Sequence, residues 1–361
     1  MRGRERTKVA DMSYPAPPLY FSTYVSRFAA HREQLASLVR PGDYVFVCLH
    51  MGEEAAAPDY QEQVAHMCRT LHEWGAVILA DVAGRTLEYF QAPDLLTVAQ
   101  RLELDVVRID YGVEVEHIRA LLGKHRLCIN ASLIDERWFE VLRADMCATH
   151  NYYPRPETGL DLEQLAEPTA RLQAAGLEVL SFISGEGELR GPVGAGLPTV
   201  EAHRHLPPYV AYLDLALRGR QDGIIVGDYA ISPAQIALIA DYRATGVISL
   251  PVHLDQSVAQ LAGQEVTLRA DTPAGLFRIM ESREYASKGA DVPVGQTGPR
   301  PRGSITVDNL TYPRYTGEMQ IMRRDYPADS RVNVVGRVAD GYELLLDLLA
   351  PGQRCKFVPV P

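Results

Sequence analysis

The chain has 361 residues, 47% of them hydrophobic and 23% charged, with a formal net charge of -10. That length exceeds one ordinary domain and fits two, and that apolar fraction can fill a large core. The acidic balance argues against nucleic acid as a partner, because a phosphate backbone needs a basic face, but it leaves room for arginines around one small phosphate.

Residues 1–18 read as a tail without fixed structure. Met1–Met12 are basic and polar with no apolar stretch behind them, so no secretory signal is expected. No apolar run approaches the ~20 residues of a membrane-spanning helix. The protein is therefore expected in the cytoplasm, with no membrane partner.

From Leu19 to Asp228 short strand-type runs alternate with amphipathic stretches. Strands are predicted at Leu19–Tyr24, Tyr44–His50, Ala76–Val82, Val106–Tyr111, Leu127–Ala131, Asp145–His150, Leu177–Ile183 and Gly223–Gly227. Helices with i, i+3, i+4 apolar spacing are predicted at His31–Val39, Tyr60–Trp74, Leu162–Ala175, Pro207–Arg218 and Pro233–Tyr242. Gly75 and Gly176 follow two of these as C-caps. Strands that are apolar on both faces suit a parallel sheet. Eight such units in succession suit a (β/α)8 TIM barrel over residues 19–245. A doubly wound sheet would open with a glycine-rich phosphate loop after its first strand. Here Val25, Ser26 and Arg27 follow, with no glycine.

Residues 246–361 have the texture of a smaller all-β domain. Strands are predicted at Val247–Val252, Glu265–Leu268, Ser304–Val307, Glu318–Met322, Val332–Val338 and Glu343–Leu346. The stretch Gly289–Pro301, rich in glycine and proline, reads as a mobile loop. The cysteines Cys48, Cys68, Cys128, Cys147 and Cys355 are odd in number and lack zinc-site spacing, so they read as small buried hydrophobes. No metal or cofactor is expected.

In a TIM barrel the chemistry stands at the C-terminal strand ends. The second strand ends in His50, followed by Glu53 and Glu54. The third ends in Asp81 and the fourth in Asp110. The fifth ends in Asn130 and Ser132, the sixth in His150, Asn151 and Tyr152, and the eighth in Asp228. Two carboxylates across a cavity are the minimum equipment for cleaving a glycosidic bond: one protonates the leaving oxygen, the other attacks carbon or activates water. Asp81, Asp110, Glu53 and Asp228 are the candidates, and spacing does not choose the pair. After the sixth strand, prolines flank Arg155 and stiffen its position. After the seventh, Arg190–Arg204 combines glycines with Arg190, His203 and Arg204, which suits an anion such as a phosphate. A carboxylate ligand would satisfy the same charges. Arg302 leads into a strand of the β domain, which is read either as a lid over the barrel or as a dimerisation module that would make a homodimer.

Several of these segments resemble the signatures of a known family. They are HNYYPRPETGL (residues 150–160), RGPVGAGLPTVEAHR (190–204), IVGDYAIS (225–232), RGSITVDN (302–309) and VNVVGRV (332–338). In this order they are similar to segments of the bacterial 6-phospho-N-acetylmuramidase family, from about Leu19 to Phe357. The resemblance implies a TIM barrel followed by a cyclophilin-like β domain. It also implies a glycosidase of peptidoglycan recycling, acting on the disaccharide N-acetylmuramic acid 6-phosphate–N-acetylglucosamine. On that reading a small phosphorylated sugar is the partner, Asp81 and Asp110 lead the carboxylate machinery, and His150, Asn151 and Tyr152 contact sugar. The alternatives are another phospho-sugar barrel enzyme, such as an aldolase or isomerase, and a non-catalytic sugar-phosphate binding protein. An aldolase would want a strand-end lysine for a Schiff base, and none of the strand ends carries one.

Overall fold

The computed structural model describes residues 16–113, 115–133, 142–143, 145–284 and 287–360. The chain forms two compact units, divided between Gln235 and Ile236. Of the tail expected over residues 1–18, positions 1–15 lie outside the described residues. Pro17 and Pro18 depart from that expectation. The Pro17 carbonyl accepts from the Tyr212 hydroxyl, and the Pro18 carbonyl accepts from the Ile224 amide, which fixes the chain just before the first strand.

The first unit is a closed parallel barrel. Its strands are β1 (Leu19–Thr23), β2 (Tyr44–Cys48), β3 (Val77–Val82), β4 (Val106–Ile109), β5 (Arg126–Asn130), β6 (Cys147–Thr149), β7 (Glu178–Ile183) and β8 (Gly223–Val226). Each pairs with the next, and β8 returns to β1 through Leu19 opposite Ile224. All eight predicted strands are present. The helix after β1 runs Val25–Leu38, starting six residues before the predicted His31. Val25, Phe28 and Leu35 are its buried positions, and the first two lie in the part that the sequence reading left out. Helices also form at Leu95–Arg101, where the Asp94 side chain caps the Thr97 amide, and at Val115–Leu121.

Alternation along the strands explains where polar groups gather. Phe46, Leu79, Val106, Cys128 and Cys147 belong to one buried cluster inside the barrel. Two residues further along the same strands, on the same inward phase, stand Cys48, Asp81, Arg108, Asn130 and Thr149. The barrel therefore changes from an apolar layer to a polar one in a single inward step, toward the C-terminal ends of its strands.

The second unit holds β9 (Ile248–Leu254), β10 (Glu265–Thr267), β11 (Leu276–Arg278), β12 (Ser304–Asp308), β13 (Met319–Met322), β14 (Val332–Val338) and β15 (Arg354–Pro359). They form one sheet in the order β10-β15-β9-β14-β12-β13-β11. The sheet curls so that its two edge strands meet at a bridge, Leu268 opposite Ile279. β11 and β15 were not predicted. The predicted strand Glu343–Leu346 is instead part of a turn leading into a short helix, Leu345–Leu348, with Leu345, Leu346 and Leu348 buried. A short apolar run does not distinguish the two states by periodicity. Gly289–Pro301 has no regular element, yet backbone bonds tie it to Thr316, Leu310 and Val334, and Asn333 bonds Pro293 and Gly295. Among the described residues, all five cysteines are buried and unpaired, and no helix is long and apolar enough to cross a membrane.

Candidate active site

The polar layer centres on two carboxyl groups and two cations. Asp81 is 2% exposed, and both its oxygens are taken. Arg108 Nη1 donates to Oδ1 at 2.5 Å, and His50 Nε2 lies 3.0 Å from Oδ2. The same two cations face Asp110 at longer range: His50 Nε2 is 3.6 Å from its Oδ2, and Arg108 Nη1 is 3.7 Å from its Oδ1. The hydrogen bond that Asp110 accepts comes from Asn130 Nδ2 at 3.2 Å. Arg108 also donates from Nε to Thr149 and from Nη2 to Asn151, so one buried guanidinium links β3, β4 and β6.

These contacts separate the two carboxyls electrostatically. Burial works against an ionised Asp81, but Arg108 and His50 outweigh it and hold its carboxyl below the usual range. Burial likewise opposes charge on His50, yet its bond to Asp81 prevails and lifts the imidazole to about 11, so it stands as imidazolium. Asp110 shifts the other way: burial, then the negative charge of Asp81, raises its pKa. One carboxylate is ionised and fully engaged. The other has its charge disfavoured and is more open, with a side chain 16% exposed.

Cys48 Sγ, a His50 nitrogen and an Asp81 oxygen lie within 4.8 Å of one another, a donor set that could in principle hold a metal ion. Its donors are already engaged with one another, since His50 Nε2 bonds Asp81 Oδ2 and Arg108 donates to Asp81 Oδ1. The arrangement fits an ion network better than an open ligand set.

His150 is fully buried behind this layer. Its Nε2 meets Thr169 Oγ1 at 2.9 Å and its Nδ1 faces Ser132 Oγ at 3.4 Å. Burial, with the charge of Arg108, pushes it down to about 4, so it is neutral. It braces the ends of β5 and β6 against the helix Leu162–Ala174.

A second feature adjoins the first through Asn151 and Tyr152. Asn151 accepts from Arg108, while the Tyr152 hydroxyl accepts from Arg190 Nη1 at 3.1 Å. The Arg190 guanidinium sits over the rings of Tyr24 and Tyr152, at 4.9 and 5.1 Å. It is 7% exposed, its Nε has no partner, and among the described residues no carboxylate pairs with it. The Asp228 carboxylate, which accepts the Arg190 backbone amide, bears on this charge through space without pairing with it directly. Such a caged guanidinium without a direct ion pair is chemically an anion site.

The other sequence candidates have different surroundings. Asp228 accepts the backbone amides of Gly185, Arg190 and Leu197, and so shapes the loop that carries Arg190. All five N–H groups of Arg204 are spent, on Glu201, on the Ala195 and Gly196 carbonyls, and on the Arg155 carbonyl. His203 is buried against Asp214 at 2.8 Å. Glu53 is exposed on the helix Gly52–Ala55, while its neighbour Glu54 is buried and accepts from Ser26. Arg155 is exposed, and among the described residues its side chain bonds the Pro156 carbonyl alone. Arg302, in the second unit, bonds the Arg323 and Glu343 carbonyls and Asp347. Sequence reasoning did not single out Arg108, and it left His50 out of the site residues. The available signal was an arginine on the inward phase of an otherwise apolar strand.

Two family patterns cover nearly the whole chain: 6-phospho-N-acetylmuramidase, N-terminal, over residues 20–241, and 6-phospho-N-acetylmuramidase, C-terminal, over residues 248–358. The chain belongs to the 6-phospho-N-acetylmuramidase family. That family is named for a glycosidase activity. A conserved protein from a locus in Enterococcus faecalis, described as of unknown function, is 27% identical with a TM-score of 0.77, over 95% of this chain and 96% of that one. An uncharacterized B. cereus protein shares the fold, with 20% identity and a TM-score of 0.71 over 96% of this chain and 99% of that one. UPF0288 protein MK0796 of Methanopyrus kandleri is 27% identical over 280 residues, 67% of this chain and 51% of that protein. The chain thus spans about half the length of that curated relative. Of the segments that carry the resemblance in sequence, residues 150–160 supply Asn151 and Tyr152, residues 190–204 supply Arg190, and residues 225–232 supply Asp228.

Proposed function

We propose that this protein is a glycosidase that hydrolyses a 6-phosphorylated amino-sugar disaccharide, N-acetylmuramic acid 6-phosphate–N-acetylglucosamine, in the cytoplasm during peptidoglycan recycling. The observation that carries the reading is Asp110: a partly open carboxyl at a barrel strand end, beyond hydrogen-bonding distance of His50 and Arg108, beside the buried Asp81 that holds both cations and disfavours a second negative charge. That is the environment of a general acid. Asp110 would protonate the glycosidic oxygen as the bond to the anomeric carbon breaks, and then accept a proton from the incoming water.

The family match supports the choice of a glycosidic substrate. Arg190 supports the choice of an anionic one, and in this reading it takes the phosphate. Arg155, whose guanidinium bonds no carboxylate among the described residues, is assigned the lactyl carboxylate, the second anion of this sugar. Arg204 serves the loop instead, since its donors are already used.

The test is incubation of the purified protein with the phosphorylated disaccharide and with its unphosphorylated twin, with products read by mass spectrometry. The expected result is release of N-acetylglucosamine from the phosphorylated form alone. Cleavage of neither, or of both equally, would count against it.

A further inference from the structure

We propose that Asp81 is a positioning residue, acting on the reaction through Asp110 by drawing the two cations of the cluster onto itself. This rests on the reading of Asp110 as the proton donor and explains how that group can do its work. A carboxyl beside an arginine and an imidazolium would ordinarily be ionised and of no use as an acid. Here both cations stand nearer to Asp81. His50 Nε2 is 3.0 Å from Asp81 and 3.6 Å from Asp110; Arg108 Nη1 is 2.5 Å from Asp81 and 3.7 Å from Asp110. Neither reaches Asp110 at hydrogen-bonding distance.

Among the described residues, the groups around Asp110 are these. His50 faces it from the chain after β2, Asp81 from β3, Arg108 from β4 and Asn130 from β5. Tyr111 lies edge-on to His50, and Cys48 adjoins Asp81. Asp81 therefore has two effects on its neighbour: it competes for the cations, and its own negative charge disfavours a second one. Its burial at 2% and its two occupied oxygens fit this indirect role better than attack on a sugar carbon.

The inference gives two substitutions opposite signs. Asp81→Asn removes the competing charge and releases Arg108 toward Asp110. Asp110 then ionises more readily, and the basic limb of the kcat/KM profile moves down by about one pH unit or more. His50→Gln removes a cation near Asp110 while Asp81 keeps its charge, so the limb moves up. Activity of Asp81→Asn should approach that of the unaltered enzyme at the acidic end of the profile, whereas Asp110→Asn stays inactive at every pH on the natural disaccharide.

The profiles are measured with the full chain on the phosphorylated disaccharide. Limbs that move in opposite directions support the proposal. Limbs that stay fixed or move together overturn it, as does an Asp81→Asn enzyme that folds but is as inactive as Asp110→Asn at all pH values. Should Asp81→Asn not fold, Asp81→Ser is read in its place: a downward limb supports the proposal and an unmoved one overturns it. Failure of the underlying reading looks different, because either the unaltered enzyme would not cleave the substrate or Asp110→Asn would keep its rate.

Discussion

Arg190→Met should leave the ligand-free protein at least as stable as before while removing its hold on an anionic substrate. The guanidinium is 7% exposed and meets two tyrosine rings, one hydroxyl and the Met51 sulfur, with no carboxylate paired to it among the described residues. Each ring contact returns about 0.5–2 kcal/mol. Taking the cation out of water costs several kcal/mol, so the two nearly offset each other. Methionine keeps an unbranched apolar stem that can pack beside Met51 and the tyrosines. Truncating a paired buried charge would instead cost about 3–5 kcal/mol. Binding should respond strongly: losing two charge-assisted hydrogen bonds at roughly 1.5–3 kcal/mol each lowers kcat/KM by about 10²–10⁴. Thermal unfolding with and without inorganic phosphate, together with initial rates on the phosphorylated disaccharide, tests both halves. A melting temperature near or above that of the parent, no longer raised by phosphate, is expected. A large loss of stability, or an unchanged rate, would refute the view of Arg190 as a preformed anion site without a direct ion pair.

Other consequences follow from the same geometry. A Cβ on Gly84 would stand 2.2 Å from the Gly112 carbonyl oxygen, so Gly84→Ala must displace the segment that carries Asp110. It should lower kcat more than it raises KM, and an unchanged kcat in a folded variant would count against a positional role for that contact. Buried His150, neutral and pushed down to about 4 from 6.5, binds fewer protons folded than unfolded in that window, so stability falls as pH drops from about 6.5 toward 4. Denaturant unfolding across this range should show a shallower pH slope in His150→Gln. In the second unit, buried Glu318 accepts from Arg278 and Arg283, which outweigh burial and hold its carboxyl low. Its contribution is full above the ordinary glutamate range and is lost as pH falls through its depressed value. Glu318→Gln should destabilise that unit by about 3–5 kcal/mol, measured by urea unfolding.

The sequence by itself determined the barrel. Eight apolar runs separated by amphipathic stretches leave few alternatives, because a strand covered on both faces must be apolar on both phases. It also determined that the polar residues ending those runs would share one rim, since parallel strands all point their C-terminal ends the same way. Five segments carried the family resemblance before any contact was known. The second unit was less legible: β11 spans only three residues, and the leucine run at 344–349 suits a strand or a helix equally. What the tertiary structure alone decided was the role of each charge. Asp81 and Asp110 look equivalent in sequence, both carboxylates at the ends of adjacent strands. They differ because Arg108, hidden in an apolar strand, turns inward toward Asp81 and stops short of Asp110. Arg190 and Arg204 look equally suited to a phosphate, yet Glu201 pairs with one while the other lies between tyrosine rings with no direct ion pair among the described residues. Charge and spacing are properties of the chain, but which partner lies within 3 Å depends on strands and loops far apart in sequence, and that distance sets whether a group holds its proton, its charge or a substrate.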